Sequence, residues 1–350
     1  MSKYFAVMDA GCYWITVIAA RWNRSGDYVL EGFSRSRAKG FRNGIVTDIA
    51  SATDTIAEAM KQLKRKTGHR IHDVYAGISS ESVDIIPSSG MLLLSRYGRE
   101  ISDMDIKRCV DIGSTIKIPL DREPLHRIVR GFSVDGEKEI KDPLSLEGVK
   151  LEARMNILTM NSSILRNMSK CISQAGYVPA GFIFSGLGSS YRSLTPEDKE
   201  NGVLLLEICM DMSKAIIFSD GTLNSCKVFS MGTDDILNPV SGVEKDKLQK
   251  LTSFIARMPG WNGVSKVVIA GEGALKSELI EAMEALFQVT VIAGSCISRP
   301  FEDLPPDKMG YVSSLGMLDH LQEERHLDKA SGNVIKRCGR RVMSFVDRYF

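Results

Sequence analysis

Residues 202–229 read GVLLLEICMDMSKAIIFSDGTLNSCKVF, and this stretch decides the fold. An apolar run ends in the acid Glu207, a tight turn follows, and two further β-rich runs separated by a Gly-containing turn complete a three-strand meander. Residues 3–33, KYFAVMDAGCYWITVIAARWNRSGDYVLEGF, repeat the pattern more weakly, with Asp9 at the end of the first run. A chain that repeats one strand meander in each half is predicted to form two lobes with a cleft between them.

The composition is that of a globular protein with more than one domain. A chain of 350 residues with 43% hydrophobic residues is long enough to bury two cores. A net charge of +2 and an aromatic content of 7% do not indicate a nucleic-acid partner. The seven cysteines are scattered and form no C-x-x-C pair, which is typical of reduced cytosolic thiols. We expect neither a signal peptide nor a spanning helix, because no apolar run approaches about 20 residues.

The hydrophobic pattern of the sequence changes twice between the two meanders. Helical spacing begins after Thr47 or Asp48 as N-cap and ends at Gly68, which predicts an amphipathic helix. From about residue 81 to 160, a helix start at Ser102 and strand-like runs over 126–134 and 151–159 predict a small α+β insertion. The predicted organisation is a first lobe over 1–80, an inserted subdomain over 81–160, the first lobe continued over 161–201, a second lobe over 202–300 with a shortened insertion near 231–262, a return to the first lobe over 301–321, a linker over 322–333 and an amphipathic helix over 334–350.

The insertion carries the most specific motifs in the chain. They stand in this order: Arg99-Glu-Ile-Ser-x-x-Asp105, His126, Phe132-Ser-Val-Asp-Gly136, Ile140-Lys-Asp-Pro143 and Gly148-Val-Lys-Leu-Glu-Ala153. In these motifs, and in Gly44-Ile-Val-Thr-Asp48 and the turn Val267-Val-Ile-Ala-Gly-Glu-Gly273, the chain resembles the FtsA family of bacterial cell-division proteins over nearly its whole length.

The resemblance implies an α/β fold of the two-lobed actin-like (ribonuclease H-like) class, with an inserted small α+β subdomain in the first lobe and a reduced outer subdomain in the second. It implies a protein that tethers FtsZ filaments at the cytoplasmic face of the bacterial inner membrane, at the division site. It also implies recruitment of other division proteins, self-association into actin-like filaments, and a cleft for ATP with Mg²⁺.

The cleft turns keep only part of the chemistry that phosphate binding needs. Such turns point several backbone N–H groups into one concavity, which requires glycines. The first turn keeps Asp9 and Gly11, but the second reads Glu207-Ile-Cys-Met-Asp-Met212, with bulky side chains and an added carboxylate where triphosphate would lie. By family resemblance Asp9 and Glu207 flank magnesium, while Gly271 and Gly273 back the adenosine. The alternative is that the acids are hydrogen-bonded strand ends and the glycines ordinary turn residues.

We therefore expect nucleotide binding to be weakened or lost, and no turnover. No catalytic residues are assigned, because no nucleophile arrangement is visible. The histidines show no metal-ligand spacing apart from one close pair; they are His69, His72, His126, His320 and His326.

The C-terminal residues 334–350, VIKRCGRRVMSFVDRYF, combine an apolar arc of about 100° with a basic remainder. This is the composition of a helix that lies on an anionic membrane surface, and the FtsA family ends in a comparable helix. The alternative is a helix docked on its own protein. The residues predicted to bind the membrane are Ile335, Lys336, Arg337, Arg340, Arg341, Val342, Phe345, Val346, Arg348, Tyr349 and Phe350.

Two departures from the family leave other functions open. The second cleft turn is changed, and the connection over 231–262 is much shorter than the subdomain that carries the family's FtsZ-tail site, so FtsZ-binding residues are not transferred. The alternatives are an active actin-fold ATPase or kinase, and a PilM-like nucleotide-free scaffold of another envelope assembly.

Overall fold

The computed structural model describes residues 4–11, 13–238, 242–294 and 308–330. The first lobe begins with the expected meander and continues into the first long helix. Its elements are β1 (Tyr4–Ala10), β2 (Trp14–Trp22), β3 (Tyr28–Arg37), the short strands β4 (Phe41–Arg42) and β5 (Ile45–Val46), α1 (Ile49–Thr67) and β6 (Asp73–Ile78).

Helix α1 begins and ends where the sequence predicts. The Asp48 carboxylate accepts hydrogen bonds from the N–H groups of Ala50 and Ser51, which otherwise have no partner within the helix. Gly68 ends the helix in the left-handed region at φ 71°, and its N–H donates to the carbonyl of Lys64.

The inserted subdomain is a four-stranded antiparallel sheet with one helix packed against it, as expected. The sheet order is β10-β9-β12-β7, and α2 lies against β7 and β12. A Cβ on Gly90 would lie 1.9 Å from the carbonyl oxygen of Cys109, so only glycine permits this close approach. The elements are β7 (Asp84–Leu93), β8 (Arg99–Glu100), α2 (Asp103–Ser114), β9 (Arg122–Val134), β10 (Glu137–Ile140), β11 (Glu147–Gly148) and β12 (Lys150–Asn161).

The chain then returns to the first lobe and completes its sheet. The elements are α3 (Ser162–Gln174), β13 (Val178–Phe184), α4 (Ser185–Ser193) and α5 (Pro196–Asn201). The sheet order is β13-β6-β1-β2-β3, with β1, β2 and β3 antiparallel and β1, β6 and β13 parallel.

The second lobe repeats this topology. Its sheet order is β16-β15-β14-β19-β20, again an antiparallel meander joined to parallel strands. Within its described residues, the connection between β16 and β19 holds short elements and one three-turn helix, α7. The elements are β14 (Val203–Ile208), β15 (Ser213–Ser219), β16 (Thr222–Phe229), α6 (Thr233–Ile236), β17 (Leu237–Asn238), β18 (Gly242–Val243), α7 (Lys245–Ile255), β19 (Lys266–Gly271), α8 (Ser277–Phe287) and β20 (Thr290–Ala293), with 3₁₀ turns at Trp261–Gly263 and Glu272–Leu275.

The last described helix is longer than expected. After a 3₁₀ turn at Lys308–Tyr311, α9 runs over Val312–Ala330, whereas the sequence indicates a helix that ends at 321 and a linker over 322–333. The linker expectation is wrong as far as Ala330, because polar residues beyond 321 contact the first lobe. Gln322 accepts a hydrogen bond from the N–H of Tyr28, and the Arg325 guanidinium lies 4.8 Å from the ring centroid of Trp22.

Helices α4 and α9 cross closely and link the two lobes. A Cβ on Gly316 would lie 1.8 Å from the carbonyl oxygen of Gly188, so the crossing requires two glycines. The core beside α4 is continuous and contains apolar residues from both sheets, including Met8 of β1 and Leu205 of β14. This packing fixes the cleft between the carboxyl ends of β1 and β14.

Candidate functional site

The cleft is built from corresponding residues of the two meanders. Strand pairing places Asp9 directly opposite Thr16 in the first lobe and Glu207 directly opposite Lys214 in the second. Asp9, Glu207 and Lys214 all line one cavity of about 70 Å³. Its other lining residues include Gly11, Trp14, Arg35, Ser185, Met210, Met212 and Gly271.

Lys214 and Glu207 form a buried ion pair inside this cleft. The Lys214 Nζ lies 3.1 Å from Glu207 Oε2, and the two residues are only 4% and 6% exposed. Burial alone would lower the pKa of the Lys214 ammonium, but the negative charges around it, chiefly Glu207 and also Asp9, outweigh burial and raise that pKa. Ser189 of α4 donates a 2.6 Å hydrogen bond to the same carboxylate oxygen. Oε2 of Glu207 is therefore held by two groups of this chain, Lys214 and Ser189.

Asp9 is the less well partnered acid of the two. Burial raises the pKa of its carboxyl group, the charge of Lys214 opposes that rise, and Glu207 adds to it. The two carboxylates thus influence each other across the cleft, and both influence one lysine.

The second turn does not form a glycine-lined concavity. The N–H of Cys209 donates to the carbonyl of Met212, which closes the turn on itself. The carbonyl groups of Cys209 and Met210 accept hydrogen bonds from Thr233 and Asp234 at the start of α6. The turn therefore anchors the segment that follows the meander.

The glycines predicted at the nucleotide have steric reasons to be glycine. Gly271 lies at φ 73°, and a Cβ there would be 2.6 Å from the carbonyl oxygen of Ile208. At Gly273 a Cβ would be 2.8 Å from the side chain of Ile208, and this glycine is not among the residues that line the cavity. A Cβ on Gly11 would lie 2.9 Å from the carbonyl oxygen of Trp14. Asp9, Gly11, Glu207 and Gly271 thus meet at one cleft, whereas Gly273 packs behind it.

An arginine covers one side of the cavity. The Arg35 guanidinium carbon lies 4.8 Å from the ring centroid of Trp14 and 5.9 Å from that of Tyr311. A Cβ on Gly310 would touch the guanidinium at 2.8 Å. Residues of β2, β3 and the 3₁₀ turn before α9 therefore close this side.

The residues present do not suit ATP with Mg²⁺. Small-molecule sites enclose about 300–1,000 Å³, and a cavity of about 70 Å³ is too small for a nucleotide. Magnesium requires carboxylate oxygens free to coordinate it, and Lys214 already pairs with Glu207.

Sequence reasoning missed Lys214, Ser189 and Arg35 as cleft residues. A signal for Lys214 exists, because it follows Glu207 by seven residues and Thr16 follows Asp9 by the same number. A lysine within the apolar run Ser213–Ser219 is also unusual for a buried strand. Ser189 lies on α4, far from Glu207 in sequence, and has no comparable signal.

The motif residues of the insertion hold its backbone in place. The Arg99 guanidinium donates two hydrogen bonds to the Asp105 carboxylate, which also accepts from the N–H of Ser102 in a capping box. The Asp135 carboxylate accepts from the N–H groups of Val149 and Lys150, joining the two long strands. These motifs are thus explained by the folding of the subdomain.

His126 of the insertion meets His320 and Glu324 of α9, a contact between distant segments that the sequence does not reveal. Ligand atoms of the three residues lie within 4.8 Å of one another. However, Nε2 of His126 accepts the N–H of Phe184, so the neutral ring carries its proton on the other nitrogen and has no free lone pair for a metal. Burial lowers the pKa of His126 well below its ordinary value and that of His320 to about 4, so both rings are neutral at pH 7. This cluster joins the insertion to α9.

The predicted membrane-binding residues of 334–350 lie outside the described residues. Within the described residues, no helix has the length and apolar character to cross a membrane.

Comparison with known proteins finds similarity to FtsA both in the insertion and along most of the chain. The model of the SHS2 domain inserted in FtsA matches residues 80–159. The cell division protein FtsA of Borreliella burgdorferi is 30% identical over 246 residues, which cover 70% of this chain and 60% of the relative. FtsA of Pseudomonas aeruginosa is 24% identical over 318 residues, covering 87% of this chain and 76% of the relative.

Among solved structures, the PilM-PilN type IV pilus biogenesis complex superposes with a TM-score of 0.60 at 10% identity. The match covers 91% of this chain and 98% of the other, and it shows a shared fold alone. The alignment with the Borreliella protein spans 60% of that relative's length.

Proposed function

We propose that this chain is a divergent FtsA-like protein of the actin-like superfamily and that it acts as a cell-division adaptor. In this role it tethers FtsZ filaments to the cytoplasmic face of the inner membrane and recruits other division proteins there. The observation that carries the proposal is the FtsA insertion at 80–159, set within a chain that aligns with FtsA on both sides of it.

Membrane attachment is assigned to residues 334–350. Their five cations and three aromatic residues suit the boundary between anionic headgroups and acyl chains. They follow α9, which packs on the first lobe through Leu315 and Leu318.

The partner contacts are proposed at the level of the protein, without assigned residues. In the described part of the segment between β16 and β19, α7 is the one helix longer than a single turn. This reduced region is where the family places its FtsZ site. Self-association into actin-like filaments is part of the same proposal.

We propose that the adaptor binds nucleotide weakly or not at all and does not turn it over. The buried Lys214–Glu207 pair and the small cavity support this and disfavour the alternative of an active ATPase or kinase. The PilM-like alternative has only the shared fold in its favour.

Imaging of a tagged full-length copy beside FtsZ tests the role. Co-localisation at midcell that depends on FtsZ is expected, and a uniform membrane or polar pattern would contradict it.

Co-sedimentation with anionic vesicles tests the attachment. Val346→Asp should abolish binding, because it places a charge on the apolar arc of the tail. Leu275→Asp is the matched control, since Leu275 is 66% exposed on the second lobe, and it should bind like the unaltered protein. Equal binding by both variants would exclude the tail as the membrane site.

A further inference from the structure

Lys214 occupies an unusual electrostatic position. It lies in the apolar strand β15, is 4% exposed, and is influenced by acids of both lobes. A lysine is seldom fully buried, because its ammonium group loses its hydration. It is tolerated here because the two acids supply the compensating charge.

The two acids of the cleft need a compensating positive charge, as the lysine needs a negative one. Glu207 is 6% exposed and ends β14, while Asp9 stands at the corresponding place on β1. Two carboxylates that face one small cavity repel each other unless a cation lies near them. A divalent metal ion or a lysine ammonium can provide that charge.

The cavity size distinguishes among possible occupants. A water molecule needs about 10–15 Å³ of such space, so a cavity of about 70 Å³ accommodates a partly hydrated ion but not a nucleotide. Without the lysine side chain, this space would hold two acids and enough room for a hydrated cation.

We propose that Lys214 is a built-in counterion that takes the place of a divalent metal ion between Glu207 and Asp9, so that the paired arrangement of the lobes requires neither metal nor nucleotide. The inference deepens the proposed loss of nucleotide binding and rests on it.

Contacts elsewhere support a fixed relation between the lobes. The amide of Asn156 in the insertion donates to the carbonyl of Leu223 in β16 at 2.9 Å. The N–H of Ser230 donates to Glu81 at 2.7 Å, and its hydroxyl accepts from the amide of Asn43 at 2.8 Å. None of these residues lines the cavity, so the lobes are also joined outside the cleft.

The test is to remove the ammonium and supply a metal ion. Lys214→Thr places at this position the residue that stands opposite Asp9 in the first lobe. In the full-length protein, the variant should melt at a lower temperature without divalent ions and regain most of the loss with Mg²⁺ alone. Electron paramagnetic resonance with Mn²⁺ should show one site, bound at least roughly tenfold more tightly than by the unaltered protein.

Lys266→Thr is the matched control. Lys266 pairs with Asp198 at the other end of the same sheet, where the two side chains are 31% and 13% exposed. This variant loses an ion pair outside the cleft and should gain no response to metal.

A second pair of variants covers the case in which Lys214→Thr does not fold. Lys214→Met should raise the unfolding equilibrium constant by roughly a hundredfold, because it leaves the buried Glu207 carboxylate without its cation. Adding Glu207→Gln should restore it to within roughly tenfold of the unaltered protein. Additive losses in this cycle would overturn the proposal, as would a Lys214→Thr protein that folds and gains neither Mg²⁺ stabilisation nor a Mn²⁺ site.

These outcomes are separable from the adaptor role. A protein that localises to midcell but whose Lys214→Thr variant is indifferent to metal contradicts the counterion alone. Metal rescue in a protein that never associates with division sites contradicts the adaptor role alone.

Discussion

The first meander places Thr16 opposite Asp9, whereas the second places Lys214 opposite Glu207 in the same register. In the first lobe the hydroxyl of Thr16 donates only a long bond, 3.4 Å, to the carbonyl of Gly310. In the second lobe Lys214 forms a buried ion pair. Two meanders with the same strand pairing therefore differ in whether the chain supplies a cation beside the acid.

This difference shows how two meanders can share one architecture and still present different charges to the cleft. The strand order, the acid at the strand end and the glycine at the start of the 3₁₀ turn are all retained. One lysine, at a position that is polar but uncharged in the other lobe, changes the charge that the cleft presents.

The largest expected effect comes from breaking the second-lobe pair. Glu207→Gln should reduce the free energy of unfolding by about 3 kcal/mol, because it leaves a buried ammonium with a neutral partner. Urea denaturation measures the loss. Asp198→Asn, which breaks the more exposed pair with Lys266, should cost about 1 kcal/mol or less. Equal losses of unfolding free energy in Glu207→Gln and Asp198→Asn would contradict the claim that the buried cleft pair contributes more than the exposed pair.

The next largest difference is expected between the stability losses caused by substituting a cleft glycine in each lobe. Gly271→Ala should cost about 2 kcal/mol, since it combines a positive φ with a Cβ placed 2.6 Å from a carbonyl oxygen. Gly11→Ala should cost about 1 kcal/mol, because its approach to Trp14 is less severe at 2.9 Å. Thermal melts of both variants measure the difference, and the reverse order would contradict the steric account of Gly271.

Removing the carboxylate charge of Asp9 should not destabilise the protein at pH 7, in contrast to removing that of Glu207. Burial holds its pKa above the ordinary 3.8, so the folded protein binds this proton more tightly than the unfolded chain. Its contribution favours folding at low pH and is lost as pH rises from 3.8 through the raised pKa. Asp9→Asn should therefore equal or exceed the unaltered protein in stability at pH 7, by up to about 1 kcal/mol, and lose that advantage on acidification.

Denaturant unfolding at several pH values between 3 and 7 measures this difference. A variant that is less stable than the unaltered protein at pH 7, with a gap that narrows on acidification, would show that the Asp9 carboxylate is net stabilising.

The smallest expected effect is at Thr16. Thr16→Val removes a single long hydrogen bond and should change the unfolding free energy by about 0.5 kcal/mol. Urea denaturation beside Lys214→Met gives the direct comparison of the two matched positions. A loss at Thr16 as large as the loss at Lys214 would remove the asymmetry between the lobes.

Features encoded by local sequence were predicted well. The two meanders, the caps of α1 at Asp48 and Gly68, and the insertion with its capping box at Ser102 follow from periodicity, turn residues and short-range hydrogen bonds. The convergence of Asp9 and Glu207 on one cleft follows from the repeat.

Features that depend on contacts between distant segments were not predicted. The crossing of α4 and α9 at Gly188 and Gly316, and the meeting of His126 with His320, join residues more than 100 positions apart. The extension of α9 past 321 has the same cause, because its polar residues contact β3 and Trp22. Lys214 was not predicted for a different reason. Its role depends on the strand register of the second meander, which places it opposite Glu207.

Calorimetric titration of the full-length protein with ATP in the presence of Mg²⁺ tests the central claim most directly. We predict no saturable heat at micromolar protein, because Lys214 already pairs with Glu207 and the cavity is too small for a nucleotide. Stoichiometric binding with a micromolar Kd would contradict the account.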